Sequence, residues 1–291
     1  MERPTESLAE AGSGWFADHH DGAAREIIDF LAGDGISLEG RRVADVGSGD
    51  GAIDLGLVQR GAPAELVGFD IVPTNTGILL QRARAHGVAD ELPAALSFAH
   101  SEPARLPAPD ASFDLVISWS AFEHIADPGA VLREIRRVLR PDGIFFLQLW
   151  PFFHSPRGSH LWEWCPEPYH HLAEPAEETR RRVRASGHQP EFAEMMLREF
   201  GTLNRLTLDE LGAALLDSEL AVRKLELLPA CSHVPAAALR HALSALGVSG
   251  VKLLATPLMD TERVLLQSPR RRDARWLAAR LTDRLRRKAT A

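Results

Sequence analysis

The chain has 291 residues, 45% of them hydrophobic and 25% charged, with a formal net charge of −7. That is the composition of a soluble globular protein, with room for one large α/β domain and an insertion. It excludes the electrostatic footprint of a nucleic-acid binder. The longest apolar run, residues 143–153, is broken by Gln148 and Pro151 and is too short to span a membrane. The first residues, MERPTESLAE, have no basic start followed by an apolar stretch, so no secretory signal is expected. Cys165 and Cys231 lie far apart without CxxC spacing. They predict free thiols in a cytoplasmic protein.

In chain order, residues 21–31 place Ala24, Ile27, Ile28 and Leu31 at helical spacing. A Gly/Asp turn follows, then a short apolar strand over 43–46 that runs into glycines. From there strands and helices alternate. Strands are predicted at 66–69, 96–99, 113–118 and 144–149, and helices at 77–86 and 128–139. The helix at 128–139 has the clearest signals. Asp127 is an N-cap, Pro128 suits the first helical position, and Val131, Leu132, Ile135, Val138 and Leu139 form a buried stripe. Pro141 and Gly143 end it. The alternation predicts a parallel sheet with helices on both faces.

After Trp150 the rhythm changes. Residues 151–200 are rich in His, Pro, Trp and Glu and carry no strand signal, which predicts a helical insertion. Regular structure resumes at the capping box Thr207-Leu-Asp-Glu210, followed by Leu208, Leu211, Leu215 and Leu216 at helical spacing. A strand over 222–228, a helix over 236–246 and a final strand over 263–267 complete the pattern. The tail, residues 270–288, is basic, with Leu277, Leu281 and Leu285 four apart. It reads either as a helix packed on the body with a charged face to solvent, or as one lying weakly on an anionic membrane surface.

The segment Val43-Ala-Asp45-Val-Gly47-Ser-Gly49-Asp-Gly51 ends a strand and opens a helix. Its glycines let the backbone turn sharply and approach a ligand. Gly47, Gly49 and Ala52 also fit the loose glycine pattern of nicotinamide enzymes, which keeps that reading as a rival. Asp45 argues against it. A carboxylate at the strand end suits the ammonium of S-adenosylmethionine (SAM) and repels a pyrophosphate. Asp70 closes the next strand, where an acidic side chain can accept from both ribose hydroxyls.

The stretch resembles the class I SAM-dependent methyltransferases, especially those acting on small molecules. The segment Leu106-Pro-Ala-Pro-Asp-Ala-Ser-Phe-Asp-Leu-Val-Ile-Ser118 is similar to that subgroup's LPxxDxSFDxVxS block. Glu123-His124-Ile and Arg137-Val-Leu-Arg-Pro-Asp-Gly143 extend the match in the expected order. The resemblance implies a Rossmann-like α/β fold. Its seven-stranded, mostly parallel sheet would have the order 3-2-1-4-5-7-6, an antiparallel last strand and a helical insertion after strand 5. It also implies that Gly47, Gly49 and Gly51 cradle SAM and that Ile71 and Pro103 flank the adenine. Glu102, in place of the family's usual Asp, would accept from the adenine amino group. Ser118 would stand beside the methionine portion.

Methyl transfer to a neutral hydroxyl also requires that a proton be removed. His124, after the fourth strand, reads either as that base or as a histidine anchoring its loop. Within the insertion, Trp150, His154, His160, Tyr169 and His171 are the candidate acceptor contacts of a lid. The alternative is that these rings form the lid's own small core. The histidine spacing matches no standard metal pattern, and no metal site is expected. The predicted division is therefore residues 1–149 for the SAM-binding core, 150–206 for the lid, 207–268 for the rest of the sheet and 269–291 for the basic tail.

The expected activity is methylation of a hydroxyl on a small molecule, with a sugar or glycosylated natural product as the suggested acceptor. Carboxylate or nitrogen methylation remains open. So does a SAM-binding cyclase or regulator of the same fold that transfers no methyl group.

Overall fold

The computed structural model describes residues 12–259. The predicted strand at 263–267 and the basic tail at 270–288 lie outside the described residues. Among those described, a seven-stranded sheet has the order β3-β2-β1-β4-β5-β7-β6. Its strands are β1 (Arg42–Val46), β2 (Glu65–Asp70), β3 (Leu96–His100), β4 (Phe113–Trp119), β5 (Leu139–Leu149), β6 (Leu220–Pro229) and β7 (Val248–Pro257). β1 to β5 pair in parallel, whereas β7 runs antiparallel between β5 and β6. The expected order and the antiparallel strand are both present.

The position of that strand differs from the expectation. It is β7, about a dozen residues earlier than the sequence suggested. Val248-Ser-Gly-Val-Lys hides a strand because glycine and lysine interrupt its apolar pattern. Gly250 is needed there, since a Cβ would meet the carbonyl oxygen of Leu149 at 2.5 Å and the Trp150 side chain at 2.9 Å. The predicted helix over 236–246 is also divided. It is a 3₁₀ turn (Ala236–Arg240) followed by a short helix, separated by extended backbone at His241 and Ala242.

Ahead of the sheet come α1 (Gly12–Ala17), a π-helical stretch (Asp18–Ala23) and α2 (Ala24–Ala32). α3 (Ala52–Gly61) and α4 (Thr76–Ala85) follow β1 and β2. Together with α2 they cover one face of the sheet, burying Ile27, Leu31, Leu55, Leu57, Leu79 and Ile117. α5 (Pro128–Val138) connects β4 to β5. The Asp127 carboxylate accepts from the Ala130 amide at 2.9 Å and Pro128 occupies the first turn, as the sequence predicted. Val131, Leu132, Ile135 and Val138 are buried on the opposite face of the sheet. Burial of such side chains stabilises the fold by roughly 1.5–3 kcal/mol each.

The insertion forms α6 (His170–Ala173), α7 (Ala176–Ala185) and α8 (Pro190–Thr202). It has its own core of Leu161, Trp164, Tyr169, Leu172, Val183 and Leu197. α9 (Leu208–Asp217) starts at the predicted capping box. Thr207 Oγ1 accepts from the Glu210 amide, and the Glu210 carboxylate accepts from the Thr207 amide. The short helix after the 3₁₀ turn is α10 (Leu243–Leu246). Among the described residues, no helix is long and apolar enough to cross a membrane. Cys165 and Cys231 are free thiols.

Candidate functional site

The glycine loop stands where parallel strands β1 and β2 end, the side of an open α/β sheet that meets ligands. Gly47, Gly49 and Gly51 all have positive φ, at 90°, 57° and 80°. Two of them are closed in by protein. A Cβ at Gly47 would meet Ala121 Cβ at 2.4 Å, and one at Gly51 would meet the Phe98 ring at 2.5 Å. A Cβ at Gly49 would meet nothing within 4 Å, so the loop is open there.

Asp70 braces this opening. Its Oδ2 accepts from the Gly49 amide at 2.9 Å and its Oδ1 from the Val72 amide at 2.7 Å. Thr74 Oγ1 donates to the Gly49 carbonyl at 3.0 Å. Each Asp70 oxygen retains a lone pair for a hydroxyl donor. Ile71 beside it is 57% exposed, an apolar surface next to a carboxylate. Glu102 and Pro103 are exposed past the end of β3, and Glu102 pairs across a small turn with Arg105. Ser118 is wholly buried, and its hydroxyl donates to the Val46 carbonyl at 2.7 Å, tying β4 to β1. Its side chain is therefore a strut of the site.

Asp45 is 2% exposed, and its Oδ1 has no hydrogen-bond partner. Burial, reinforced by the charge of Asp70, raises its pKa to about 7, although a hydrogen bond from Asp54 opposes the rise. Asp54 on α3 is fully buried and its carboxyl is pushed well above the usual range, by burial first and by Asp45 next. The two carboxyls therefore resist double ionisation, and as a pair they hold a proton more tightly than exposed aspartates do. The sequence reading missed Asp54. Its signal is a carboxylate on a helix whose neighbours Leu55, Leu57 and Val58 are all buried.

After β4 the chain forms a 3₁₀ turn, Phe122–His124. Asn204, near the end of the predicted lid, holds that turn. Its amide donates to the Glu123 carbonyl at 2.9 Å and its side chain to the Phe122 and Ile125 carbonyls. Asn204 is some eighty positions from the turn, and no sequence signal joins them. Glu123 is 3% exposed, and burial pushes its carboxyl up to about 8. His124 Nε2 lies 4.0 Å from Glu123 Oε1. The His124 ring meets that of His160 edge-on, with centroids 5.2 Å apart. His160 in turn lies 5.9 Å from Trp162, and Trp162 lies 6.1 Å from Trp150. Burial pushes the His160 imidazole down to about 3, so it stays neutral.

The candidate lid residues therefore separate. His160 joins His124, and Trp150 joins the same wall of rings through Trp162. Tyr169 is 0% exposed and its hydroxyl donates to the Leu246 carbonyl at 2.7 Å. His171 is buried against the Phe153 carbonyl at 2.6 Å, and burial pushes it down to about 3. His154 lies tilted against His241, 4.9 Å between centroids, beside Leu206 and Leu208 at the start of α9. Tyr169 and His171 are thus part of the insertion's own interior.

A family model for a methyltransferase domain matches residues 44–147. The chain carries a class I SAM-dependent methyltransferase domain. It is 35% identical over 120 residues to a demethylmenaquinone methyltransferase of Deinococcus radiodurans, covering 41% of this chain and 47% of that one. It is 27% identical over 143 residues to a ubiquinone biosynthesis O-methyltransferase of Cereibacter sphaeroides, covering 44% and 55%. The chain thus spans about half the length of these curated relatives. A solved SAM-dependent methyltransferase of Mesorhizobium loti shares the fold with a TM-score of 0.51 at 18% identity, covering 81% of this chain and 99% of that one. The methyltransferase domain uses SAM, and its residues fit that cofactor. The orphaned Asp45 oxygen seeks a donor such as an ammonium, and the loop is open at Gly49.

Proposed function

We propose that this protein transfers the methyl group of SAM to a hydroxyl of a ring-bearing small molecule. The observation that carries the reading is the meeting of His124, in the turn after β4, with His160 of the insertion. Asp45 would hold the cofactor's ammonium, Asp70 its ribose hydroxyls, and Ile71 and Pro103 its adenine, with Glu102 accepting from the adenine amino group. When bound, the cofactor supplies an electrophilic methyl group on a positively charged sulfur.

The chain's own residues orient the acceptor and manage its proton. Trp150, Trp162 and His160 form a wall of rings suited to a flat or ring-shaped acceptor. His124 is the residue through which the hydroxyl is deprotonated. A sugar and a quinol precursor both belong to this acceptor class, and the names of the matched relatives point towards quinone chemistry.

The test is an acceptor screen with purified protein and SAM. Formation of S-adenosylhomocysteine together with an O-methylated product supports the reading. Products only from carboxylic acids or amines, or cofactor binding with no product, count against it.

A further inference from the structure

We infer that Glu123, His124 and His160 form a binding site for a divalent transition-metal ion of the zinc class, which holds the oxygen of the acceptor. This deepens the proposed function, resting on it only in placing the acceptor beside His124.

The ligand atoms of the three side chains lie within 4.8 Å of one another. A tetrahedral ion bonded at about 2.0–2.2 Å holds its donors roughly 3.3–3.6 Å apart, so closure draws the three side chains together by up to about 1.5 Å. Two imidazoles and one carboxylate suit zinc or a similar ion and suit magnesium or calcium poorly.

An independent observation points the same way. Glu123 is buried on all sides, yet its Oε2 has no hydrogen-bond partner, and neither does His160 Nε2. Buried polar atoms in native proteins are normally paired. Two orphaned atoms on neighbouring ligand-type side chains mark a place for a further group. Glu199 of α8 adds negative charge towards Glu123.

The described residues contain one other cluster of this kind, Cys165, His170 and Glu174. There Arg182 already donates to Cys165 at 3.2 Å and lies 3.7 Å from Glu174, so a cation is in place. In the first cluster, three protein ligands leave positions open for an acceptor oxygen.

In the reaction, the ion-bound hydroxyl releases its proton to solvent. Its oxygen forms the new bond to the methyl carbon, and the S–CH₃ bond electrons remain on sulfur as a thioether. His124 then acts as a ligand, lowering the hydroxyl's pKa through the ion.

The experiment is calorimetric titration of the chelator-treated full chain with Zn²⁺ alone. Saturation at one equivalent is expected. Glu123→Gln and His160→Ala should each weaken it roughly tenfold or more, while Cys165→Ala leaves it unchanged. S-adenosylhomocysteine affinity, measured in parallel, confirms that each variant is folded. The inference is overturned by the absence of saturable Zn²⁺ binding, by equal binding in all variants, or by loss in Cys165→Ala instead. If S-adenosylhomocysteine binds while Zn²⁺ does not, the metal site fails and the methyltransfer reading stands. If S-adenosylhomocysteine does not bind, that reading fails as well.

Discussion

Asp54 on α3 and Asp45 at the end of β1 are both buried, and burial together with the charge of Asp45 pushes the Asp54 carboxyl well above the usual carboxylate range. A pair of acids in one dry site cannot ionise twice without strong repulsion, so the pair retains a proton at pH values where exposed aspartates have lost theirs.

This gives a pH-dependent stability with a definite sign. The Asp45 pKa rises from 3.8 to about 7 on folding, and that of Asp54 also rises. The folded state therefore binds more protons than the unfolded chain between those values. The contribution is complete below pH 3.8 and is lost as pH rises through about 7. Asp54→Asn keeps a donor for Asp45 and removes one ionisation. Thermal melts should show a flatter pH dependence. At about pH 8 the variant should have the higher Tm, by about 2–4 °C for each kcal/mol recovered. A variant with the wild-type pH profile would show that the pair does not hold the proton.

Asp70 should govern cofactor affinity. Asp70→Ala removes the acceptor of the Gly49 and Val72 amides as well as the proposed ribose contact. The loss in S-adenosylhomocysteine binding should be about 1.5–3 kcal/mol. Asp70→Asn, which keeps one acceptor oxygen, should lose less. Equal affinity for wild type and Asp70→Ala in calorimetry would remove Asp70 from the cofactor site.

His124→Ala should lower kcat by about 10²–10⁴ while cofactor affinity stays nearly constant. The deficit should shrink as pH rises and the acceptor hydroxyl ionises unaided. Steady-state kinetics across pH with a single acceptor measures both. A change confined to KM would make His124 a binding contact only.

Tyr169→Phe should behave as a change to the lid's interior. It leaves the Leu246 carbonyl without its donor, which should cost about 1 kcal/mol of stability. The acceptor KM should be unaffected at temperatures where the variant is folded. A raised KM with unchanged Tm would return Tyr169 to the acceptor surface.

The parts of the site that were legible in the sequence are those made by neighbours along the chain. Asp45 precedes Gly47 by two positions, and Asp70 closes its own strand, so a strand-turn-helix pattern places both. Asp54 depends on how α3 packs, and nothing local announces that its side chain turns towards Asp45. Asn204 reaches the turn at Glu123 only after the lid has folded. The lid's rings were readable as a cluster but not as two groups. Which ring becomes core and which faces the cleft depends on packing between α6, α8 and the segment that contains α10. The last strand was displaced for a similar reason. The apolar run Val264-Leu-Leu266 is easier to see in a sequence than a strand whose glycine exists to let Trp150 approach.

Gly47 and Ala121 are in mutual steric dependence, since a methyl on one would occupy the space of the methyl on the other. Two positions assigned to different tasks therefore share one inheritance. Enlargement of either displaces the turn that presents Glu123 and His124, so a lesion in the cofactor loop would first be felt in the chemistry. Natural variation at these two sites should be correlated, with a larger residue at neither.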